Sequence, residues 1–296
     1  MTAIPVILVG GGLGAGKTTL LRALLASPDL PRLGFVVNEF GALDVDGALL
    51  ASQGADVIEL PNGCVCCAAG GDLAAAVNRL LRTERPPETV VVELSGVADP
   101  YPVRREIELL GSRVRLANLV GVVDLELPAS AAVKDPALLR LLSMAQTVVL
   151  NKQDRADPVL VREWTNLVSA CSPRSAVHTT SFGRVAASVL LSPPAGMQRS
   201  EGTPKGAAHR AFHAITVTVP MGTSRARLEA AFSAPDWVDR AKGFVQLVEG
   251  PFLFQVVRGR ATFEPLTTSL PVQVTNKLVV ISADGAILGQ RAAALW

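Results

Sequence analysis

Aromatic residues, histidines and long hydrophobic runs are all scarce in this sequence. Only 4% of its 296 residues are aromatic, and its three histidines, His178, His209 and His213, lie too far apart for a metal-storage tract. No apolar run reaches the roughly 18 residues of a membrane-spanning helix, and glycines interrupt the apolar start, so we expect neither a signal peptide nor a membrane partner. The net charge is only +2, which gives a nucleic-acid partner no electrostatic support.

Cysteine is also rare, and its placement excludes a disulfide framework. The chain has four cysteines, of which Cys64, Cys66 and Cys67 are clustered and would pair with one another only in strained geometry. We therefore expect a reducing, cytoplasmic setting. In contrast, 49% of the residues are hydrophobic, which is enough for one large domain or two ordinary ones.

Strand-like and helix-like patterns alternate through residues 4–191. Seven segments are predicted as strands: Ile4–Val9, Gly34–Val37, Asp56–Leu60, Thr89–Glu93, Leu119–Asp124, Thr147–Leu150 and Ala176–Thr179. Six segments are predicted as helices: Thr18–Ala26, Asp72–Arg82, Val103–Leu110, Pro136–Met144, Pro158–Ala170 and Val185–Leu191. Several strands are almost wholly apolar, as strands covered on both faces are. The pattern predicts an α/β domain over 1–191 with a doubly wound, mostly parallel sheet.

A change of composition separates a second, smaller domain. Residues 192–208 are rich in proline, glycine and serine, which predicts a linker. Residues 209–296 then predict an α+β domain with strands Phe212–Val219, Phe244–Val248, Phe252–Val257 and Leu278–Ser282 and a helix Ser224–Phe232. His209 and His213 are interpreted as interdomain or core histidines, and Arg240 and Lys242 as part of a solvated turn or a partner surface.

The segment GGLGAGKT, Gly11–Thr18, lies between the first strand and the first helix. It matches the P-loop pattern, in which backbone N–H groups and a helix N-terminus surround phosphate oxygens. Lys17 would then reach the β- and γ-phosphates, and the Thr18 hydroxyl would bind Mg²⁺. The predicted nucleotide-binding residues of this loop are Gly11, Gly12, Gly14, Ala15, Gly16, Lys17, Thr18 and Thr19.

The segment LNKQD follows a later buried strand and contains an NKxD pattern. The carboxylate of Asp154 can accept hydrogen bonds from N1–H and the exocyclic amine of guanine, whereas adenine would leave it desolvated and unpaired. Asn151 is predicted to hold the loop, and Lys152 to lie along the plane of the base. Together with the P-loop, this pattern predicts GTP as the nucleotide.

Between these two motifs, VVVELSGVADP has the layout of a strand followed by a nucleotide-sensing segment. Glu93, at the end of the strand, would hold Mg²⁺ through water, and the Gly96 N–H would contact the γ-phosphate. The catalytic residues predicted for hydrolysis are therefore Lys17, Thr18, Glu93 and Gly96. Glu93 can alternatively be a charged residue that caps a buried strand.

The clustered cysteines suit a soft metal ion. Thiolates favour Zn²⁺, Co²⁺ or Cu⁺ over Mg²⁺, and three ligands leave a fourth position open, as an ion that is passed on requires. Two other readings stay open for this cluster: a reactive or redox-active pair at Cys66 and Cys67, and simple structural packing.

The motifs together resemble one known family. GGLGAGKTTLL, VVNEFGALDVDGALL, ELPNGCVCCAAGGDL, VVVELSGVADP and LNKQD occur in the order and spacing of the CobW-like GTPases, which are P-loop metallochaperones. The resemblance implies GTP hydrolysis and a transition-metal ion, zinc or cobalt, at the cysteine motif. It also implies that Glu39 is a further metal ligand or orients water at Mg²⁺, that Asp46 lies near the nucleotide and Mg²⁺, and that the loop Thr179–Gly183 covers the guanine.

The leading hypothesis is a GTP-hydrolysing metallochaperone that passes its ion to a client metalloprotein or a metal-cofactor pathway enzyme. The alternative is a GTP-dependent activator or scaffold of a single metalloenzyme that transfers no metal itself. A small-molecule kinase is a third hypothesis, and the NKxD pattern argues against it. We expect a monomer or a dimer that depends on nucleotide or metal.

Overall fold

The computed structural model describes residues 3–37, 56–59, 72–96, 99–133, 135–192, 213–232, 237–257, 259–266, 275–282 and 284–293. The chain divides into two compact units, the first holding the described residues up to 192 and the second those from 213 onward. The predicted linker, 192–208, falls almost wholly outside the described ranges, so the predicted domain bounds stay a prediction. No described helix is long and apolar enough to cross a bilayer.

The first unit is built on a seven-stranded sheet in which every neighbouring pair is parallel. Its strands are β1 (Ile4–Gly11), β2 (Leu33–Val37), β3 (Asp56–Glu59), β4 (Thr89–Glu93), β5 (Val114–Asp124), β6 (Thr147–Asn151) and β7 (Ala176–Thr179). The strand order is β3-β2-β4-β1-β5-β6-β7, so β1 lies in the centre. The predicted parallel α/β sheet is confirmed.

Helices cover both faces of this sheet. They are α1 (Lys17–Leu25), α2 (Asp72–Leu81), α3 (Pro100–Leu109), α4 (Ser130–Val133), α5 (Pro136–Met144), α6 (Pro158–Cys171) and α7 (Ala187–Leu191). Alternate residues of β1 point to opposite faces. Leu8 belongs to a buried cluster with residues of α2, α3 and α5, whereas Val9 belongs to a second cluster with residues of α1 and α7. The sheet is therefore doubly wound, as predicted.

Three helices of the first unit begin with the same dipeptide. Asp99, Asp135 and Asp157 are the N-caps of α3, α5 and α6, and a proline occupies the first position of each helix. Each aspartate side chain accepts a hydrogen bond from a backbone N–H of the first turn, and proline has no N–H there to leave unpaired. The Asp-Pro pairs thus set where these helices start after their loops.

A buried amide holds α7 against the sheet. Asn118 of β5 is fully buried, and its Nδ2 donates to the carbonyl oxygen of Leu190 at 2.9 Å. Its Oδ1 accepts from the hydroxyl of Thr147 in β6 at 3.2 Å. Because α7 follows the loop after β7, this network also anchors the far end of that loop.

The second unit is a five-stranded antiparallel sheet with two described helices. Its elements are β8 (His213–Thr218), α8 (Arg225–Ala231), β9 (Arg240–Leu247), β10 (Gly250–Val257), β11 (Arg260–Pro265), β12 (Lys277–Ser282) and α9 (Gly285–Ala293). The strand order is β11-β10-β9-β12-β8. Leu228 of α8 and Leu288 of α9 share a buried cluster with Phe254 and Val280 of the sheet. The predicted α+β class of this domain is confirmed.

Two alternatives considered for this unit were wrong. Arg240 and Lys242 are not in a solvated turn: both lie in β9, and the Lys242 side chain is buried. His213 is not a core residue, since it is exposed at the start of β8; an interdomain position stays a prediction. Two elements, β11 and α9, were not predicted.

Candidate nucleotide-binding site

The glycine-rich loop joins the carboxyl end of β1 to the start of α1, which is where ligands bind in open α/β sheets. Gly14 and Gly16 have φ angles of 74° and 98°, in the region that favours glycine. Gly16 is the N-cap of α1, and a Cβ there would overlap the side-chain amide of Asn151. Glycine is therefore required at position 16 both by backbone conformation and by space. The first N–H groups of α1 favour an anion at this loop.

Lys17 places its charge on the same loop. The side chain is buried, and its ammonium donates to the carbonyl oxygens of Gly11 at 3.0 Å and Gly12 at 3.2 Å. The cation is thus positioned over the turn through which phosphate oxygens would be bound, next to the N-terminus of α1.

Thr18, in the first turn of α1, contacts Glu93, the last residue of β4. The Thr18 hydroxyl donates to Glu93 Oε1 at 3.1 Å, and both side chains are buried. Glu93 ends β4 beside Val9 of β1, so the sheet register brings the acid to the loop. A hydroxyl beside a carboxylate offers the oxygen ligands that Mg²⁺ prefers.

The segment after β4 lies directly against the phosphate loop. A Cβ at Gly96 would come within 2.7 Å of Leu13 Cδ2 and 2.9 Å of Leu13 Cα. No side chain fits at position 96 without displacing that loop. Nearby, the Ser95 side chain is buried as well.

A buried ion pair fixes the end of this segment. The Asp99 carboxylate accepts from Arg140 Nη1 of α5 at 2.6 Å, and both side chains are at most 10% exposed. The same carboxylate caps α3. Arg140 was missed in the sequence because nothing in its local pattern indicates a partner some forty positions away.

Asn151 connects two loops. Its Nδ2 donates to the carbonyl oxygen of Ala15 in the phosphate loop at 2.9 Å, and its Oδ1 accepts from the Gly183 N–H at 3.0 Å. The side chain is buried. An amide suits this position because one group supplies both a donor and an acceptor. The first position of the NKxD motif thus joins the phosphate loop to the loop after β7.

Lys152 is held by two acids. Its ammonium lies 2.8 Å from Asp124 Oδ2 and 3.1 Å from Glu126 Oε2, and its backbone is left-handed, with φ of 66°. Asp124 ends β5, the neighbour of β6. The sequence analysis missed both acids, because it did not predict which strand lies beside the NKxD strand.

Asp154 is partly exposed to solvent, and the backbone around it is held by hydrogen bonds. The backbone N–H of Gln153 donates to the carbonyl oxygen of Thr180 at 3.0 Å, and that of Asp154 donates to Ser181 Oγ at 3.0 Å. The Asp154 side chain is 32% exposed, with Arg155 Nε 3.6 Å from its carboxylate. An accessible carboxylate on a rigid backbone can accept hydrogen bonds from a ligand.

The loop after β7 packs on α1. Gly183 has φ of 67°, and a Cβ there would come within 2.6 Å of Leu20 Cα. Backbone therefore contacts backbone at this point. The loop that flanks Asp154 and the helix that begins at the phosphate loop are in direct contact.

The predicted transition-metal ligands Cys64, Cys66, Cys67 and Glu39, and the predicted magnesium residue Asp46, lie outside the described residues. Within the described ranges, no three His, Cys, Asp or Glu side chains are grouped as a metal site requires. The transition-metal site remains a prediction from the sequence.

Two family models match the chain. That of the CobW/HypB/UreG nucleotide-binding domain matches residues 5–179, and that of the cobalamin synthesis protein cobW C-terminal domain matches residues 212–293. The first covers the phosphate loop, the segment after β4 and the NKxD segment.

Individual relatives agree with these matches. The zinc chaperone CobW of a Sinorhizobium species is 34% identical over an alignment of 219 residues, which covers 64% of this chain and 62% of that protein. The zinc chaperone YeiR of Escherichia coli K12 is 32% identical over an alignment of 225 residues, which covers 70% of this chain and 63% of that protein. The chain spans somewhat less than two thirds of the length of either relative.

A solved structure shares the fold. The Zn(II)-bound YjiA GTPase from E. coli aligns over the whole of both chains with a TM-score of 0.50 and 21% sequence identity. Since the first family model matches residues 5–179, which are more than half of the sequence, the chain belongs to the CobW/HypB/UreG family of nucleotide-binding domains.

Proposed function

We propose that the protein binds and hydrolyses GTP and uses this cycle to carry a transition-metal ion, Zn²⁺ or Co²⁺, to a client. The observation that carries the nucleotide part is the Asn151 amide, which ties Ala15 of the phosphate loop to Gly183 of the loop beside Asp154. A ligand with phosphates at one end and a hydrogen-bonding base at the other fits such a paired arrangement. Binding of GTP in preference to ATP tests it directly.

Guanine is the base that the Asp154 carboxylate favours. Guanine offers N1–H and an exocyclic amine side by side, whereas adenine would leave a desolvated carboxylate without a donor. The hydrogen bond from the Asp154 N–H to Ser181 fixes the backbone from which the carboxylate projects. The rigid segment thus lets the carboxylate discriminate between the bases.

Thr18 and Glu93 are the residues that would hold Mg²⁺, because their oxygens already lie together at the phosphate loop. The ion would neutralise charge on the phosphates. Lys17, whose ammonium lies on the same loop, would orient the phosphates, and the Gly96 N–H lies on the segment that would sense the terminal one.

Asp154→Asn is expected to weaken GTP binding by about 2–3 kcal/mol, the scale of a buried polar group left without its partner. The variant is expected to gain affinity for xanthosine triphosphate, whose base presents an acceptor where guanine presents its amine. Competition binding with both nucleotides measures the change.

Asp157→Asn is the matched control, because it makes the same chemical change three residues further on, at a helix cap where asparagine is equally suitable. It is expected to leave both affinities unchanged. Unaltered GTP affinity in Asp154→Asn would remove this carboxylate from the base site.

The metal part of the proposal is supported by the cysteine cluster and by two relatives that carry the name zinc chaperone. Cys64, Cys66 and Cys67 would supply thiolates, and Glu39 lies in the segment that would respond to the γ-phosphate. Nucleotide and metal would then be linked, so each would change the affinity of the other by the same factor. A reducing, cytoplasmic setting would keep the thiols available.

Co²⁺ affinity is expected to be about 5- to 150-fold higher with Mg²⁺ and GTP than with GDP, the usual range for linked sites. Anaerobic titration, followed by the thiolate charge-transfer absorption, measures it. Alanine at a ligating cysteine is expected to remove most of the affinity, and Glu39→Ala to reduce the GTP-to-GDP ratio.

Cys171→Ala is the control for these variants, since this free thiol lies at the end of α6. It is expected to bind Co²⁺ as the wild type does. Equal affinities in the GTP and GDP states would contradict the chaperone cycle. Stoichiometric capture of one apo-metalloenzyme without metal transfer would instead support the activator or scaffold alternative.

A further inference from the structure

Phe182 occupies an unfavourable conformation in the loop after β7. Its φ angle is 57°, in the left-handed region that a bulky side chain rarely adopts. Its side chain is also poorly buried, with 55% of the residue exposed. Both features are unfavourable in the free protein, and glycine at this position would relieve them. Strain that the fold retains points to a use for the side chain.

The neighbours of Phe182 fix where it lies. On one side, Ser181 Oγ accepts from the backbone N–H of Asp154. On the other side, the Gly183 N–H donates to Asn151, and Gly183 lies against the backbone of Leu20 in α1. Phe182 therefore lies on a loop that contacts the backbone of Asp154 on one side and the helix that begins at the phosphate loop on the other.

The ring of Phe182 lies beside a cation. The guanidinium carbon of Arg184 lies 5.9 Å from the centroid of the ring, within cation–π range. Phe182 is not a member of any of the three hydrophobic clusters found among the described residues of the first unit. An exposed aromatic ring beside a cation has the character of a surface on which a flat, electron-rich base can stack.

We propose that Phe182 stacks on the purine of the bound nucleotide. This inference rests on the proposed function, since it requires a guanine nucleotide with its phosphates at Lys17 and its base at Asp154. Phe182 would add to the affinity by stacking on the base, whereas Asp154 would distinguish guanine from other bases by hydrogen bonds. Aromatic stacking tolerates every base because each has a π face.

Phe182→Gly is the decisive variant. Loss of the ring is expected to weaken GDP binding by about 5- to 150-fold, the range that alanine substitution of base-stacking aromatics produces. The thermal midpoint of the free protein is expected to stay the same or rise, because glycine accepts the left-handed backbone without strain. A merely structural phenylalanine predicts the opposite, a lower midpoint.

Competition with inorganic triphosphate separates the base from the phosphates. Its affinity, measured with Mg²⁺, is expected to be the same in the wild type and in Phe182→Gly. Phe182→Trp adds a spectroscopic readout, since guanine quenches a stacked indole. Its fluorescence is expected to fall on GDP binding by more than that of the wild type, whose three tryptophans give the baseline. Leu109→Ala, which changes an exposed residue of α3, is the control.

Unchanged GDP affinity in Phe182→Gly would overturn the inference, as would an equal loss for inorganic triphosphate, which would show that the loop and not the ring was affected. Either result leaves the proposed function standing as long as the wild type binds GDP. A wild-type protein that binds no GDP contradicts the proposed function itself, and the inference with it.

Discussion

Lys17→Ala is expected to abolish GTP turnover while the first unit stays folded. The ammonium lies on the phosphate loop, 3.0 Å from the carbonyl oxygen of Gly11, where it would orient the phosphates and neutralise their charge. Positioning and charge stabilisation supply almost all of the catalysis in phosphoryl transfer. Removing one such group costs on the order of 10²–10³-fold or more in rate. Phosphate release under saturating GTP and Mg²⁺ measures the loss.

Lys277→Ala provides the matched control, because this lysine lies in β12 of the second unit. Its turnover is expected to equal that of the wild type. Circular dichroism separates catalytic loss from unfolding. A folded Lys17→Ala protein that hydrolyses GTP at the wild-type rate would contradict the assignment of this loop as the phosphate site.

Arg140→Ala is expected to destabilise the first unit by about 3–5 kcal/mol, the cost of leaving one member of a buried ion pair without its partner. Asp99 would keep its negative charge in a buried position, since the Arg140 contact at 2.6 Å is with its carboxylate. Urea unfolding, monitored by peptide-resolved hydrogen exchange, measures the free energy of unfolding of the first unit separately from that of the second. This separation is needed because a two-unit chain does not have to unfold in one step.

Two comparisons make the Arg140 result specific. Arg104→Ala breaks a more exposed pair with Glu108 in α3, so it is expected to cost at most about 1 kcal/mol. The double variant Asp99→Asn, Arg140→Met removes both charges and keeps a capping side chain, so it is expected to recover much of the loss. A single variant as stable as the wild type would show that the pair adds nothing to folding.

The first unit could be predicted well because several of its strands are almost wholly apolar. β4 and β7 have the predicted bounds, and β1 differs only at its end. β5 begins at Val114, whereas Leu119 was predicted. The prediction began too late because the first residues of the strand include an arginine and an asparagine, which interrupt its apolar pattern. α3 begins at Pro100, whereas Val103 was predicted. The prediction did not use the Asp-Pro pair, which is a signal for the start of a helix.

The second unit was harder to predict because several of its elements mix polar and apolar residues. Arg240 and Lys242 suggested a solvated turn or a partner surface, yet pairing of β9 with strands on both sides places them inside a sheet. β11 is an edge strand whose residues are half-exposed or exposed, so its sequence lacks an apolar run. α9 contains Gly285 and Gly289, which weaken a helical pattern.

For the site, motif spacing predicted which residues lie on the loops at the strand ends, but not their tertiary partners. Asn151 was expected to hold a loop, and the structure shows the two groups that it joins. Asp124 and Glu126, which hold Lys152, belong to another strand end and became apparent only from the order of strands in the sheet. The predicted thiolate ligands lie outside the described residues.

The central place of β1 has a consequence for biosynthesis. This strand precedes every other described strand in the sequence, yet its neighbours in the sheet are β4 and β5. A ribosome delivers the chain from its amino terminus, so the apolar segment Ile4–Val9 emerges long before either neighbour exists. The phosphate loop behind it cannot be closed until Asn151 has also been translated. Of the motifs of the site, the first to be synthesised is therefore among the last to be assembled, and its hydrophobic strand stays unpaired until β4 has been translated.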